Sequence, residues 1–228
     1  SIEHKMVSNA VEKAQRKVEG RNFDIRKSLL EYDDVANDQR RVIYTQRNDI
    51  MQMESISEII SNIRQDVIKD VLDRFIPPHS VEEQWDIPGL EEQIFEEFDL
   101  QLPIGQWLAG KGTEKVFEED LHAKITAAVQ EIYDNKAEQA GVSVINQFEK
   151  QIMLQVLDNL WKDHLATMDH LRQGIHLRGY GQKNPKQEYK RESFILFEQL
   201  LHNIKHDTIR ILSHVKVRGE EEIQQLEA

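Results

Sequence analysis

The sequence predicts an all-α fold: a very long scaffold helix packed with an antiparallel helical hairpin, plus a small inserted helical domain. Three observations carry this. The prolines stand at 77, 78, 88, 103 and 185, so residues 1–76 and 104–184 lack the strongest helix breaker. Apolar residues recur at helical spacing through both stretches, and no segment carries a convincing strand pattern.

The first element is one straight helix. Val7, Val11, Ala14, Val18, Ile25, Leu29, Tyr32, Ala36, Ile43 and Ile50 form one stripe, because Val7, Ile25 and Ile43 are separated by five turns of 3.6 residues. Over residues 3–52 such a helix is about 75 Å long at 1.5 Å per residue, and a rod of that length needs support from other domains. Gly20 and Asn22 are its weak point. The opposite face mixes Glu12, Lys13, Arg16, Lys17, Arg26, Lys27, Asp33, Asp34, Arg40 and Arg41, which suits either a solvated face or a docking face for neighbouring domains.

Shorter units follow from Ser55 to Gly141. An apolar helix runs through Ile59, Ile63, Val67 and Val71 and stops at Pro77-Pro78, after which Ser80 and Glu83 have capping-box spacing. Pro88-Gly89 and Pro103 delimit a short helix with Leu90, Ile94, Phe95 and Phe98, and a loop at Gly110-Lys111-Gly112 leads into a helix over about 114–139. A second long helix begins at Val142 with Ile145, Phe148, Ile152, Val156, Leu160, Leu165, Met168, Leu171 and Ile175. It breaks at Arg178-Gly179-Tyr180-Gly181. The third long helix starts after Asn184-Pro185 and carries Tyr189, Phe194, Phe197, Leu200, Leu201, Ile204, Ile209 and Ile211.

Charge divides the chain the same way. Residues 51–141 hold 7 basic and 20 acidic side chains, while the flanking stretches are close to balanced, so the net charge of −12 sits in the middle. This pattern suggests an acidic unit inserted into a balanced frame and speaks against bulk nucleic-acid binding. The absence of cysteine excludes disulfides, thiolate metal sites and cysteine nucleophiles. No apolar run approaches the roughly 20 residues that span a bilayer, so a soluble protein is expected; the start at Ser1, directly in helical pattern, suggests a piece of a longer chain.

Catalytic patterns are weak. Gly105 to Gly112 nearly matches a phosphate loop, but Gly112 replaces the hydroxyl that would hold Mg²⁺ and no buried strand precedes it. His202 and His206 lie one turn apart without an evident third ligand and read as ordinary surface histidines. Asp163-His164 and Asp169-His170 repeat at six residues, about 240° apart on a helix, so they cannot converge. No serine, histidine and acid grouping has a hydrolase context.

The hairpin tip differs. Between Arg178 and Arg191 stand Arg178, Lys183, Lys186, Lys190 and Arg191 against the single acid Glu188, with Tyr180 between Gly179 and Gly181. Composition alone fits a solvated loop with an incidental tyrosine. The functional reading is an exposed ring that grips varied polypeptides, with basic surroundings that dock on an acidic or lipid-adjacent partner.

Residues 21–44, RNFDIRKSLLEYDDVANDQRRVIY, resemble the long scaffold helix of the SecA family, the ATPases that drive preproteins through the SecY channel. WDIPGL (85–90) and LDNLWKDHLATMDHLRQGIHLRGYGQKNPKQEYKRESF (157–194) extend the resemblance over essentially the whole chain. It implies scaffold at 1–52, helical wing at 53–141, and scaffold with the two-helix finger at 142–228. Tyr180, with Gly179 and Gly181, would contact preprotein. Arg172, His176, Arg178, Lys183, Lys186, Lys190 and Arg191 would dock on the channel or regulate hydrolysis. The implied partners are the SecY channel complex, unfolded preprotein, the motor and preprotein-crosslinking domains and a second copy in a homodimer; nucleic acid is not among them. The implied location is cytoplasmic, peripheral on the bacterial inner membrane. ATP and Mg²⁺ would belong to motor domains outside this stretch and zinc to a separate tail, leaving this stretch with no cofactor and no activity of its own. The competing reading is a helical adaptor that binds nucleic acid or another partner through the basic tip.

Overall fold

The computed structural model describes residues 5–110 and 117–216, and among them it holds only helices and their connections. The α-helices are α1 (Lys5–Gln52), α2 (Ser57–Phe75), α3 (Ile87–Phe98), α4 (Ile104–Gly110), α5 (Glu118–Ala140), α6 (Val142–Gly174) and α7 (Pro185–His214), with 3-10 turns at Glu82–Gln84 and Ile175–Gly181. The all-helical expectation holds. The 48 residues of α1 run through Gly20 without a break, about 72 Å at 1.5 Å per residue.

Local chemistry sets several boundaries. The Asn184 side chain accepts the Lys186 N–H at 3.0 Å, capping α7 ahead of Pro185. Asp86 does the same for α3 by accepting the Gly89 N–H at 3.1 Å, with Pro88 in the first turn. Helix α5 stops at Gly141, whose φ of +84° is left-handed. The capping box expected at Ser80 and Glu83 does not form: the 3-10 turn follows Val81 with no side-chain cap, and the Ser80 hydroxyl accepts the Trp85 indole N–H at 2.8 Å instead. Trp85 is buried, so its donor needed a partner more than the short turn did.

The chain divides into two compact units, residues 1–46 with 162–199 and residues 47–161 with 200–228. In the first, α1 is antiparallel to α6 and parallel to α7: Gln39 meets His164 while Asp33 meets Arg172, and Glu31 meets Lys186 while Gln39 meets Ser193. Its core is Tyr32, Met168, Ile175 and Tyr189, edged by Val35, Leu171 and Leu196. Tyr32 and Tyr189 meet edge to face, centroids 4.8 Å apart. Gln39 links three helices, donating to the Ser193 carbonyl at 3.1 Å and meeting His164 Nε2 at 2.9 Å. Burial lowers the pKa of His164 and favours its neutral ring.

The apolar stripe of α1 is only partly used. Tyr32, Ile43 and Ile50 are buried as the spacing requires, but Val7, Val11, Val18, Ile25 and Leu29 are exposed. On α7, Tyr189, Leu200 and Ile204 are buried while Phe194 is exposed. Phe194 lies about 140° around the helix from Tyr189, so one face cannot bury both.

In the second unit α2 is the central helix. Ile60, Ile63, Val67, Ile68, Val71 and Leu72 are buried, as are Leu90, Ile94 and Phe98 of α3 and Leu121, Ile125 and Val129 of α5. Arg47 of α1 holds Asp158 of α6 through two contacts at 2.8 and 3.2 Å, and Lys150 donates to the Met51 and Met53 carbonyls at 2.7 and 2.8 Å.

Candidate functional site

The 3-10 turn Ile175–Gly181 closes the α6–α7 hairpin, and its two ends differ in character. Ile175 is buried at the base against Tyr32 and Tyr189, whereas His176, Leu177, Arg178, Gly179 and Gly181 are exposed. The side chain of Tyr180 lies outside the described residues. The left-handed position of the turn is Gln182, with φ 59°, and neither flanking glycine has positive φ. A Cβ on Gly181 would meet nothing within 4 Å, and one on Gly179 would meet only Pro185 at 3.8 Å. The backbone therefore does not require glycine at either position. What the two glycines supply is bare, accessible main chain on both sides of residue 180.

The basic residues gathered here are largely paired. Arg178 reaches Glu192 with contacts at 3.1 and 3.4 Å, Arg191 and Lys183 share Glu188 at 2.8 and 3.6 Å, and Lys186 binds Glu31 of α1 at 2.6 Å. Arg172 holds Asp33 at 3.1 Å and Asp169 at 3.5 Å. The hydrogen bond from Lys186 keeps the Glu31 carboxyl below the ordinary range, and the one from Arg191 does the same for Glu188. Sequence counting set five cations against one acid; folding brings Glu31 to Lys186 and Glu192 to Arg178. Lys190 has no ion pair within 4 Å among the described residues and is exposed. Such pairing lowers the field that a phosphate backbone needs, which weakens the nucleic-acid adaptor reading.

Beside the tip lies an open cleft of about 720 Å³ lined by Arg21, Ile25, Leu29, Tyr32, Arg172 and His176 among others. Its walls combine apolar α1 side chains with two basic groups from α6 and the turn. Sequence reasoning named Arg172 and His176 but missed Tyr32, Glu31 and Glu192 as the groups that hold the tip; Tyr32, inside the apolar stripe, carried the only signal.

The other patterns scatter. Gly105 to Gly110 of the phosphate-loop look-alike are part of helix α4, not a loop, and Lys111 and Gly112 lie outside the described residues. His164 is buried and His170 exposed, so the two Asp-His pairs stay apart.

The family profile of the SecA wing and scaffold domain matches residues 1–216. This chain belongs to the SecA family. The protein translocase subunit SecA of Pseudomonas putida (strain W619) is 58% identical over 225 residues, which are 99% of this chain and 24% of that protein. The chain thus spans about a quarter of the length of the curated relative it matches. In SecA terms, the string at 21–44 lies on α1, WDIPGL opens α3, and the string at 157–194 runs from α6 through the glycine turn into α7. No helix among the described residues is long and apolar enough to cross a membrane.

Proposed function

We propose that this chain is the scaffold, wing and pushing finger of a SecA-type protein translocase motor. Residues 1–52 form the long scaffold helix, 53–141 the wing, and 142–228 the remaining scaffold with the two-helix finger. ATP is hydrolysed with Mg²⁺ by motor domains outside this stretch, which itself hydrolyses none, and zinc belongs to a tail outside it. The finger carries that work to unfolded preprotein at the SecY channel, on the cytoplasmic face of the bacterial inner membrane. Motor and preprotein-crosslinking domains pack along α1.

The observation that carries this reading is a helix pair braced close to its tip and bare at it. Tyr32 and Tyr189 are buried together, and Lys186–Glu31 and Arg172–Asp33 tie both arms to α1. Antiparallel paired helices resist bending, so a displacement at the base reaches the turn. Two glycines that folding does not demand leave bare main chain on both sides of residue 180. Gly179, Tyr180 and Gly181 then hold preprotein weakly enough to release it, while Arg172, His176, Arg178, Lys183, Lys186, Lys190 and Arg191 dock on the channel or adjust hydrolysis.

Site-specific photocrosslinking from position 180 of the full-length subunit to a stalled translocating chain tests the contact. Tyr180→Ala is expected to leave nucleotide binding intact and cut transport at least about tenfold, a loss of about 1.4 kcal/mol of coupling, with Tyr180→Phe near wild type. Undiminished transport by the alanine variant removes the tip from the mechanism.

A further inference from the structure

The second unit brings two histidines and two carboxylates together. His202 and His206 stand one turn apart on α7, their ring centroids 4.2 Å apart. Asp70 of α2 faces both, with Oδ2 at 3.6 Å from His202 Nδ1 and 3.7 Å from His206 Nε2. The three donor atoms all lie within 4.8 Å of one another. On the far side of His206, Glu97 of α3 meets Nδ1 at 2.7 Å, and the Glu97 side chain is only 6% exposed.

That last contact orients the His206 ring: with Nδ1 held on Glu97, Nε2 points toward Asp70. Nε2 is buried and has no hydrogen-bond partner. The 3.7 Å gap between Nε2 and Asp70 is too long for a hydrogen bond and leaves room for a cation between the two atoms. It is close to the separation of two ligands on one tetrahedral ion, about 3.3 Å for bonds of about 2.0–2.1 Å. Glu97 behind His206 is the outer carboxylate that orients a metal-binding imidazole. Lys205 is engaged with Asp66 at 2.6 Å, one turn along, leaving Asp70 to the histidines.

We propose that Asp70, His202 and His206 form a binding site for Zn²⁺ or a divalent ion of the same borderline class, with Glu97 positioning His206 and the fourth coordination position open to water. Imidazole and carboxylate donors without thiolate suit that class. The bound ion fastens α2 to α7 within the second unit. The pair of histidines looked ordinary in sequence because the third ligand comes from a helix far away in the chain.

Titration of the tag-free chain with ZnCl₂, followed by calorimetry and thermal melting, tests the site. One tight equivalent and a rise in melting temperature are expected. Asp70→Asn and His202→Ala, at exposed positions that the fold tolerates, should each weaken that equivalent at least tenfold and cancel the rise. Glu97→Gln should weaken it about 10–100-fold, and His170→Ala and His214→Ala should leave it unchanged. Binding that survives both Asp70→Asn and His202→Ala, or the absence of a tight equivalent in the wild type, overturns the proposal.

Discussion

Tyr133 joins two charges that have been taken out of water. Its hydroxyl donates to Glu149 at 2.6 Å, and the Arg64 guanidinium lies over its ring at 3.4 Å. Both ions are nearly inaccessible, and burial pushes the tyrosine's own pKa far above its usual range, so it remains a donor. Ser57 donates to the second Glu149 oxygen at 2.6 Å and Gln130 accepts from Arg64 at 2.9 Å, completing a polar network among apolar neighbours. Tyr133→Phe keeps the ring under Arg64 and removes one charge-assisted bond. A loss of about 1.5–3 kcal/mol in urea unfolding is expected, and a change below about 0.5 kcal/mol would mean that Ser57 alone satisfies the carboxylate. Arg64 was partly legible, since it interrupts the spacing of Ile60 and Ile68 on the apolar face of α2. Its partners were not, because Tyr133 and Glu149 come from other helices.

At the scale of elements, α3 shows how a boundary signal in sequence can hide a packing constraint. Pro88-Gly89 reads as punctuation, yet both residues lie in the first turn of the helix. A Cβ on Gly89 would sit 2.8 Å from the Phe75 ring and 2.9 Å from Asp86 Cγ, the very side chain that caps the helix. Alanine ordinarily stabilises a helix by about 1 kcal/mol over glycine. Here the sign should reverse. Gly89→Ala must displace the Asp86 cap or Phe75, at a cost of about 1–3 kcal/mol, read as a lower melting temperature; an unchanged or raised melting temperature would show that the cap moves freely. The start of α7 was legible because Asn-Pro acts locally. Ser80 was misread because its hydroxyl answers to a buried indole, and Phe194 because an apolar side chain does not declare which face of a long helix is covered.

Across the whole chain, burial is unevenly spread, and that governs where the molecule opens. Every described side chain from Met6 to Leu30 is exposed, including Phe23, Ile25, Leu29 and Leu30, whereas Tyr32, Gln39, Ile43 and Ile50 further along the same helix are buried. The helical period of α1 was plain in sequence over its full length. Which half of the stripe finds a partner was not, since that depends on where α6 and α7 lie beside it. Helices in proteins draw most of their stability from tertiary packing rather than from propensity, and the exposed half of α1 has little of it. Amides from Met6 to Leu30 should therefore exchange with solvent by local opening, while those from Tyr32 to Ile50 wait for loss of the core. Hydrogen exchange of this chain is expected to be at least about a hundredfold faster in the first segment, the factor given by about 2.7 kcal/mol of opening free energy. If other SecA domains pack along α1 as proposed, the same amides in the full-length subunit gain protection and the step at Leu30 disappears. A step that persists unchanged in the full-length subunit means that this half of the scaffold helix carries nothing. Uniform protection in the isolated chain would mean that α1 is held by its own helix-forming tendency, not by the packing of Tyr32 to Ile50.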